Sequence, residues 1–390
     1  MTNFLAVERA LRTAAPHDLF RTVRAALIEH FHAIEVELLM ADYSLTVLQP
    51  VTALPYTAEP LPVQTSSEGR AFGSQEPFGQ YAAEEGAVDL HLPVTVRGDR
   101  LGILTIRMPE AACTPETVSD LTDLAELLGH EIVVAERDTD LYLQARRASR
   151  LTLAAEMQWQ LLPARACARP EYAIGAQLEP AYDIHGDNFD WSTNAETLTL
   201  TVTNGMGEGI QASLLTNLAI NALRNARRAG IGIADQAALA DQAVYGQYRG
   251  REYVSTLLLS FELATGRGLV VDAGSPQLWR YRDRSVERLE FEAQLPLGMF
   301  EESLYVAQDF QVVPGDRLIF VSDGVYAAAG VSGEAYSERA LARAIHATSL
   351  LPAAAVPRAI LGELAAYRDS DADDDALVLC MDWFGRPAAA

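Results

Sequence analysis

Lysine is absent from this chain of 390 residues, so all 30 of its Lys+Arg side chains are arginine. P-loop NTPases, protein kinases and Schiff-base enzymes each use a lysine in the active centre. The sequence therefore excludes these three classes. Basic residues are also few beside 53 acidic ones, and the formal net charge is −23. Because phosphate contacts need a basic stripe, nucleic acid is not expected as the principal partner.

Cysteine and long apolar runs are scarce as well. Cys113, Cys167 and Cys380 are widely spaced and odd in number, so we expect neither a disulfide framework nor a thiolate metal site. No run approaches the ~20 apolar residues of a membrane span, and the N-terminus has no apolar core of signal length. These absences predict a cytoplasmic protein without a membrane partner, and the length predicts two domains.

The first third of the chain has a mixed α/β pattern. Apolar residues at helical spacing over 17–31 precede two candidate strands, and Arg97-Gly98-Asp99 joins the strands of a candidate hairpin. The two strands, a stretch expected to hold little regular structure, and the hairpin strands are 34–40, 44–51, 54–77, 91–96 and 100–108. This order resembles a GAF domain over residues 1–137. The resemblance implies a sensor domain with a small-molecule ligand, although Cys113 and His91 are better explained as structural residues than as a ligand-binding pair.

A second helical pattern begins at Thr114-Pro115-Glu116, which supplies an N-cap, a proline at the first helical position and an early acid. Leucines step by three and four from Leu121, and the pattern resumes at Leu153 before Pro163 ends it. It predicts a long connector helix, with residues 138–165 linking the domains and a homodimer formed through it. The alternative is two ordinary packed helices with a break near Asp138–Asp140.

From Tyr172 onward, strands alternate with a few helices, which favours an α+β fold or a layered αββα sandwich. The candidate strands are 172–179, 197–203, 253–262, 268–273, 278–282, 310–313, 317–321 and 376–383, and the candidate helices are 210–229, 235–248, 337–346 and 353–367. Acidic residues stand beside glycines at several strand ends, in His185-Gly186-Asp187, Asn204-Gly205, Ser322-Asp323-Gly324 and Asp373-Asp374-Asp375. If these ends converge, their oxygens form a cage suited to Mg²⁺ or Mn²⁺.

Seven phrases in order make residues 145–385 resemble the SpoIIE-type branch of the metal-dependent (PPM) serine/threonine phosphatases. They are AAEMQWQLLP, AYDIHGDNFD, TNGMGEGIQASLL, YVSTLLLSFELATGRGLVVDAGSPQLWRY, LPLGMF, GDRLIFVSDGVYAA and DDDALVLCM. The resemblance implies an αββα sandwich over 166–386 with a divalent-metal site between its sheets. Asp187, Asp323 and Asp374 match metal aspartates, and Gly205 matches a glycine whose carbonyl binds metal. Asp373 and Asp375 leave the register of the last aspartate open by one residue.

Asn204 departs from the family, which has a metal-bridging aspartate at this catalytic position. Asparagine offers one neutral oxygen in place of two anionic ones, so at least one metal is expected to bind poorly. His185 stands where glycine is usual. Glu208 stands where histidine or asparagine is common, and it would replace the lost carboxylate if it turned inward.

The resemblance implies hydrolysis of phosphoserine or phosphothreonine on a regulatory protein, such as an antagonist of an anti-sigma factor, with one or two Mn²⁺ or Mg²⁺ ions. In such a centre the metals lower the pKa of a bound water, and the hydroxide that results attacks phosphorus. The alternative is a catalytically silent pseudophosphatase that binds partners. A dinucleotide loop at Gly205-x-Gly207-x-Gly209 is disfavoured because its third glycine comes one residue early.

Overall fold

The structure, a computed structural model, describes residues 2–51, 59–330, 336, 338–368 and 374–386. The chain divides into two units, Met1–Arg150 and Leu151–Ala390. Both units combine helices with antiparallel sheets, as the composition and periodicity predict. Within the described ranges, no helix has both the length and the apolar composition of a membrane-crossing segment.

The N-terminal unit is built on one six-stranded antiparallel sheet with the order β3-β2-β1-β6-β5-β4. Its strands are β1 Glu35–Ala41, β2 Val47–Pro50, β3 Leu61–Pro62, β4 Phe78–Tyr81, β5 Ala87–Val96 and β6 Asp99–Pro109. Its helices are α1 Thr2–Thr13, α2 Leu19–Phe31, α3 Ser67–Ser74, α4 Pro115–Ala135 and α5 Leu141–Ala145. Apolar side chains of α1, α2, α4 and α5 form one core with the sheet, and α3 packs in a smaller second core.

The predicted hairpin is confirmed, since β5 and β6 pair along their length. The expectation of little regular structure over 54–77 is wrong for its second half, where α3 forms; residues 54–58 lie outside the described part. Ser66 caps α3 by accepting a hydrogen bond from the Gly69 amide at 3.0 Å. A side chain on Gly69 would overlap the carbonyl of Val63, so the helix needs a glycine at this position. Glycine has a low helix propensity, and for this reason the sequence pattern does not predict the helix.

A single long connector helix does not form, which corrects the first of the two interpretations of residues 114–163. Helix α4 ends at Ala135, and the short α5 and α6 (Leu153–Leu161) follow as separate helices. The leucines at helical spacing in α4 are buried in the core of the N-terminal unit itself. Apolar spacing reports that a helix face is buried and does not identify the surface that covers it.

The C-terminal unit has two antiparallel sheets. A five-stranded sheet has the order β15-β12-β11-β10-β9, and a six-stranded sheet has the order β14-β13-β16-β17-β8-β7. The strands are β7 Ala166–Ala168, β8 Tyr172–Glu179, β9 Asn188–Thr193, β10 Thr197–Gly205, β11 Val254–Glu262, β12 Arg267–Ala273, β13 Gln277–Arg282, β14 Ser285–Leu289, β15 Gln308–Gln311, β16 Arg317–Val321 and β17 Ala376–Trp383.

Helices cover the outer faces of the two sheets. The remaining helices are α7 Gly209–Arg228, α8 Ile233–Tyr248, α9 Asp323–Tyr326, α10 Glu338–Ala347 and α11 Val356–Tyr367. Helices α7 and α8 share a core with the five-stranded sheet, and α10 and α11 share one with the six-stranded sheet. Between the sheets, the rings of Phe261 and Trp383 lie 5.9 Å apart. The order of layers is therefore helices, sheet, sheet, helices.

A polar row crosses the N-terminal sheet beneath α3. Thr105 on β6 pairs with His91 on β5 and with Glu37 on β1. His91 is 1% exposed. Its Nδ1 lies 3.0 Å from Thr105 Oγ1 and 3.9 Å from Glu68 Oε1, whereas Nε2 has no hydrogen-bond partner in the described part of the chain. Burial lowers the pKa of His91, although the charges of Glu68 and Asp89 oppose the shift.

The lowered pKa makes the N-terminal unit sensitive to acid. Below the unfolded-state pKa of 6.5 the unfolded chain takes up a proton on His91 more readily than the folded chain, so stability is lost as the pH falls through that range. We expect the amide protection factors of β5 and β6 to fall between about pH 7 and pH 5, and His91→Gln to weaken this dependence. Equal pH dependence in both proteins would contradict the assignment.

Candidate active site

Four strand-end segments of the two sheets meet in the C-terminal unit. Asp187 directly precedes β9, and Asn204 lies near the end of β10 in the same sheet. Asp323 follows β16, and Asp375 directly precedes β17, both in the other sheet. The site is therefore assembled at the junction of two sheets, as the strand-end pattern predicts.

Asp375 ties the two sheets together at this junction. Its carboxylate accepts hydrogen bonds from the backbone amides of His185, Gly186 and Asp187, with N···O distances of 2.7–3.1 Å. Burial raises the pKa of Asp375 to about 6, and the three amide hydrogen bonds oppose that rise. Asp375 thus points at backbone, whereas its exposed neighbour Asp374 does not carry this role. Asp373 lies outside the described residues.

Asp187 is a buried carboxylate among other acids. It is 2% exposed, and its Oδ2 has no hydrogen-bond partner within the described ranges. Burial raises the pKa of Asp187 well above its usual range, and the negative charge of Asp375 raises it further. Asp323 and Asp374 add weaker repulsion in the same direction. This concentration of carboxylates is stabilised by protons or by a cation.

Asn204 takes part in a neutral network at the same place. Its amide nitrogen donates to Ser275 Oγ at 3.1 Å, and the Tyr326 hydroxyl donates to the Ser275 carbonyl at 2.9 Å. Burial raises the pKa of Asp323, and the side chain of Asn204 lowers it. Asn204 thus places a neutral amide beside Asp323, and its hydrogen bond within the described residues goes to Ser275.

Glycines bring two of the loops into backbone contact. A side chain on Gly205 would overlap Thr216 Oγ1 and lie 2.6 Å from the Gly186 carbonyl oxygen. Thr216 on α7 donates to that carbonyl at 2.7 Å, and Ser213 donates to the His185 carbonyl at 2.7 Å. Helix α7 thus fixes the 185–187 loop from one side while Asp375 fixes it from the other.

The two unusual residues His185 and Glu208 lie at the edge of this arrangement. Glu208 is exposed at the N-cap of α7 and makes no side-chain capping bond. It is not among the charges that shift the pKa of Asp187, Asp323 or Asp375. The structure therefore gives no support to Glu208 as the substitute carboxylate. The Nε2 atom of His185 lies 4.0 Å from Asp183 Oδ1, and the contact of His185 with Asp375 is made by its backbone amide.

The oxygen donors of this site have the chemistry that a divalent cation needs, but their side chains are not arranged as a complete set of metal ligands. The unpartnered Asp187 oxygen and the crowded acids are what an oxygen-coordinated Mg²⁺ or Mn²⁺ neutralises. However, no three His, Cys, Asp or Glu side chains of the described residues are arranged to hold a metal ion together.

Sequence reasoning did not single out three polar residues that shape the site: Thr216, Ser275 and Tyr326. Ser275 follows a strand and a glycine, as the acidic positions do, but the strand-end pattern selects charged residues and serine carries no charge. Thr216 and Tyr326 lie on helices, where nothing in the spacing distinguishes them from packing residues.

Comparison with known proteins agrees with this architecture. Residues 194–384 match the family described as Stage II sporulation protein E (SpoIIE). Phosphoserine phosphatase RsbU of Bacillus subtilis (strain 168) is 22% identical over 214 residues, which make up 54% of this chain and 64% of that protein. The chain therefore spans less than two thirds of the length of this relative.

Solved structures extend the comparison to the fold. The SiaA-PP2C domain of Pseudomonas aeruginosa is 20% identical with a TM-score of 0.51, covering 59% of this chain and 93% of that domain. The catalytic domain of the serine/threonine phosphatase PstP, in complex with two manganese ions, is 14% identical with a TM-score of 0.40, covering 54% and 98%. The predicted GAF-like character of the N-terminal unit stays a prediction. Residues 194–384 of the C-terminal unit thus match the SpoIIE family, and the unit has the fold of the SiaA-PP2C domain.

Proposed function

We propose that the C-terminal unit is a Mn²⁺- or Mg²⁺-dependent protein phosphatase for phosphoserine or phosphothreonine on a regulatory protein. The observation that carries the proposal is Asp187, a buried carboxylate with an unpartnered oxygen at the meeting point of two sheets. An antagonist of an anti-sigma factor is the substrate class we favour, because RsbU, a phosphoserine phosphatase, is a relative.

In this proposal Asp187, Asp323, Asp374 and the Gly205 carbonyl hold the cation. A cation bound there would supply an acidic water and neutralise charge on the phosphoryl oxygens. The protein's own contribution is to fix the ligands. Asp375 holds the backbone that carries Asp187, and the glycine contact between positions 186 and 205 lets the Gly205 carbonyl approach the same point.

A silent pseudophosphatase is the second candidate, and Asn204 favours it. Its amide donates to Ser275, and its presence lowers the pKa of Asp323, so a neutral group already stabilises part of the acidic centre. A cation that bridges two sites would have to displace this hydrogen bond and would meet one neutral oxygen instead of a carboxylate. In this case the domain binds the phosphoprotein and does not hydrolyse it.

We further propose that the N-terminal unit acts as a sensor with a small-molecule ligand. The polar row beneath α3 supports a regulatory role, because it places a titratable histidine in the interior of a unit that carries none of the proposed metal ligands.

Restoring the carboxylate at position 204 separates the two candidates. We expect Asn204→Asp to raise Mn²⁺-dependent hydrolysis of p-nitrophenyl phosphate by at least about tenfold, because losing one determinant of a metal site changes affinity or activity by about 10–100-fold. Glu208→Gln is the matched control. It should leave the hydrolysis rates of the native chain and of the Asn204→Asp variant unchanged, since Glu208 is exposed. Isothermal titration with Mn²⁺ gives the stoichiometry.

Each result has a distinct meaning. Turnover by the native chain above its metal-free baseline supports the enzyme, and turnover by the variant alone supports the silent domain. Loss of activity in Glu208→Gln would overturn the placement of that side chain.

Alanine substitutions of the adjacent residues Asp374 and Asp375 are expected to have different effects, one on metal affinity and the other on stability. Asp375→Ala leaves three loop amides without their acceptor and should destabilise the unit by roughly 2–3 kcal/mol. Asp374→Ala should cost less, about 1 kcal/mol, because Asp374 is exposed and accepts a single hydrogen bond, from the Asp375 amide. Its main effect should be a loss of Mn²⁺ affinity. Urea unfolding and metal titration of both variants test this division, and the reverse pattern would assign the metal-facing role to Asp375.

A further inference from the structure

A cavity of about 360 Å³ lies beside helix α8, among residues that the proposed metal centre does not use. One side is formed by α8, and the other by the segment that leads from β14 to β15. Its lining residues are Asp241, Gln242, Glu301, Glu302, Ser303 and Leu304. Three of these six side chains are acidic and none is basic.

Asp241 is the buried member of this set. It is 1% exposed, and its Oδ1 accepts hydrogen bonds from the Gly298 amide at 2.7 Å and from the Tyr305 hydroxyl at 3.1 Å. Its Oδ2 receives no hydrogen bond from the described residues, and none of their basic side chains pairs with it. Because Asp241 lines the cavity, this oxygen is available to accept a hydrogen bond from a group that enters it.

The same cavity has one apolar lining residue, Leu304. Leu304 is 91% exposed although it is a large apolar side chain, and Phe300, four residues earlier in the chain, is 53% exposed. Exposed apolar residues next to unpaired acids match a ligand that has an apolar stem and a cationic head. Glu301 and Glu302 form no ion pair with any described residue, so their charges are also available to such a ligand.

A bare metal ion does not fit this description. Among the residues described, no three acidic, histidine or cysteine side chains are placed to hold a metal together. The cavity also has an apolar wall, which a hydrated cation would not use. An arginine side chain fits both parts, because its guanidinium donates to carboxylates in pairs and its stem packs on leucine.

We propose that this cavity receives an arginine side chain, flanked by apolar residues, from a partner protein. The chain carries a net charge of −23, so a basic partner segment is favoured over a second copy of the chain. The assignment concerns binding alone and holds whether or not the metal centre hydrolyses phosphate.

The probe is a fluorescein-labelled peptide, Gly-Ala-Leu-Arg-Leu-Ala-Gly, compared with the same peptide carrying citrulline, which is neutral and nearly isosteric with arginine. By fluorescence anisotropy, the full chain should bind the arginine peptide at least about tenfold more tightly, as expected for charge-assisted hydrogen bonds. The double variant Glu301→Gln, Glu302→Gln should lose this preference. Glu196→Gln, another exposed acid, should keep it.

Leu304→Ser should weaken both peptides equally, since it removes only the apolar contact. Equal affinity for arginine and citrulline, or a preference that survives in the double variant, would overturn the proposal. So would a shift of the Leu304 methyl resonances caused by Mg²⁺ alone, which would indicate a metal site. Self-association of the native chain that Leu304→Ser abolishes would show a second copy on this surface and would also overturn it.

Discussion

The geometry of the C-terminal unit depends on the hydrogen bonds between one carboxylate and three consecutive amides. Asp375 belongs to the sheet that contains β17, and the amides of residues 185–187 lead into β9 of the other sheet. The carboxylate is buried, which is costly, and the three donors compensate for that cost. Because the loop is held at its backbone, the side chain of Asp187 stays free to face the centre.

Asn204 shows how a small chemical change redistributes energy in this centre. Burial raises the pKa of both Asp187 and Asp323, and the charges of neighbouring carboxylates raise each of them further. An additional acid at position 204 would add repulsion whenever no cation is present. The neutral amide avoids that repulsion, but it offers a cation one uncharged oxygen in place of a carboxylate. The two proposed functions, catalysis and silent binding, differ in which of these effects matters more.

Much of this site could be predicted from the sequence, because glycines and acids at strand ends need only the strands to be placed correctly. The choice between Asp374 and Asp375 could not be predicted, since the residues are identical and adjacent. Only the loop that approaches from the other sheet distinguishes them.

The prediction of a connector helix is limited in the same way, because the sequence pattern does not identify the contacting surface. The leucines of α4 have the spacing of a dimer interface, and the N-terminal unit's own core covers them.

The buried acids of the C-terminal unit are compensated by arginine at some positions and by other groups elsewhere. With no lysine in the chain, arginine serves the buried structural pairs: Asp190 is bonded by Arg224 and Arg227 at 2.7 and 2.9 Å, and Asp316 by Arg282 at 2.6 Å.

Asp187 and Asp241 are as deeply buried, yet neither has an arginine partner among the described residues. Asp375 is satisfied by three backbone amides, and Asp241 accepts hydrogen bonds from the Gly298 amide and the Tyr305 hydroxyl. Asp187 differs from these acids because its Oδ2 is fully buried and has no hydrogen-bond partner in the described part of the chain. An uncompensated buried carboxylate is costly, so the centre around Asp187 requires a proton or a cation to balance it.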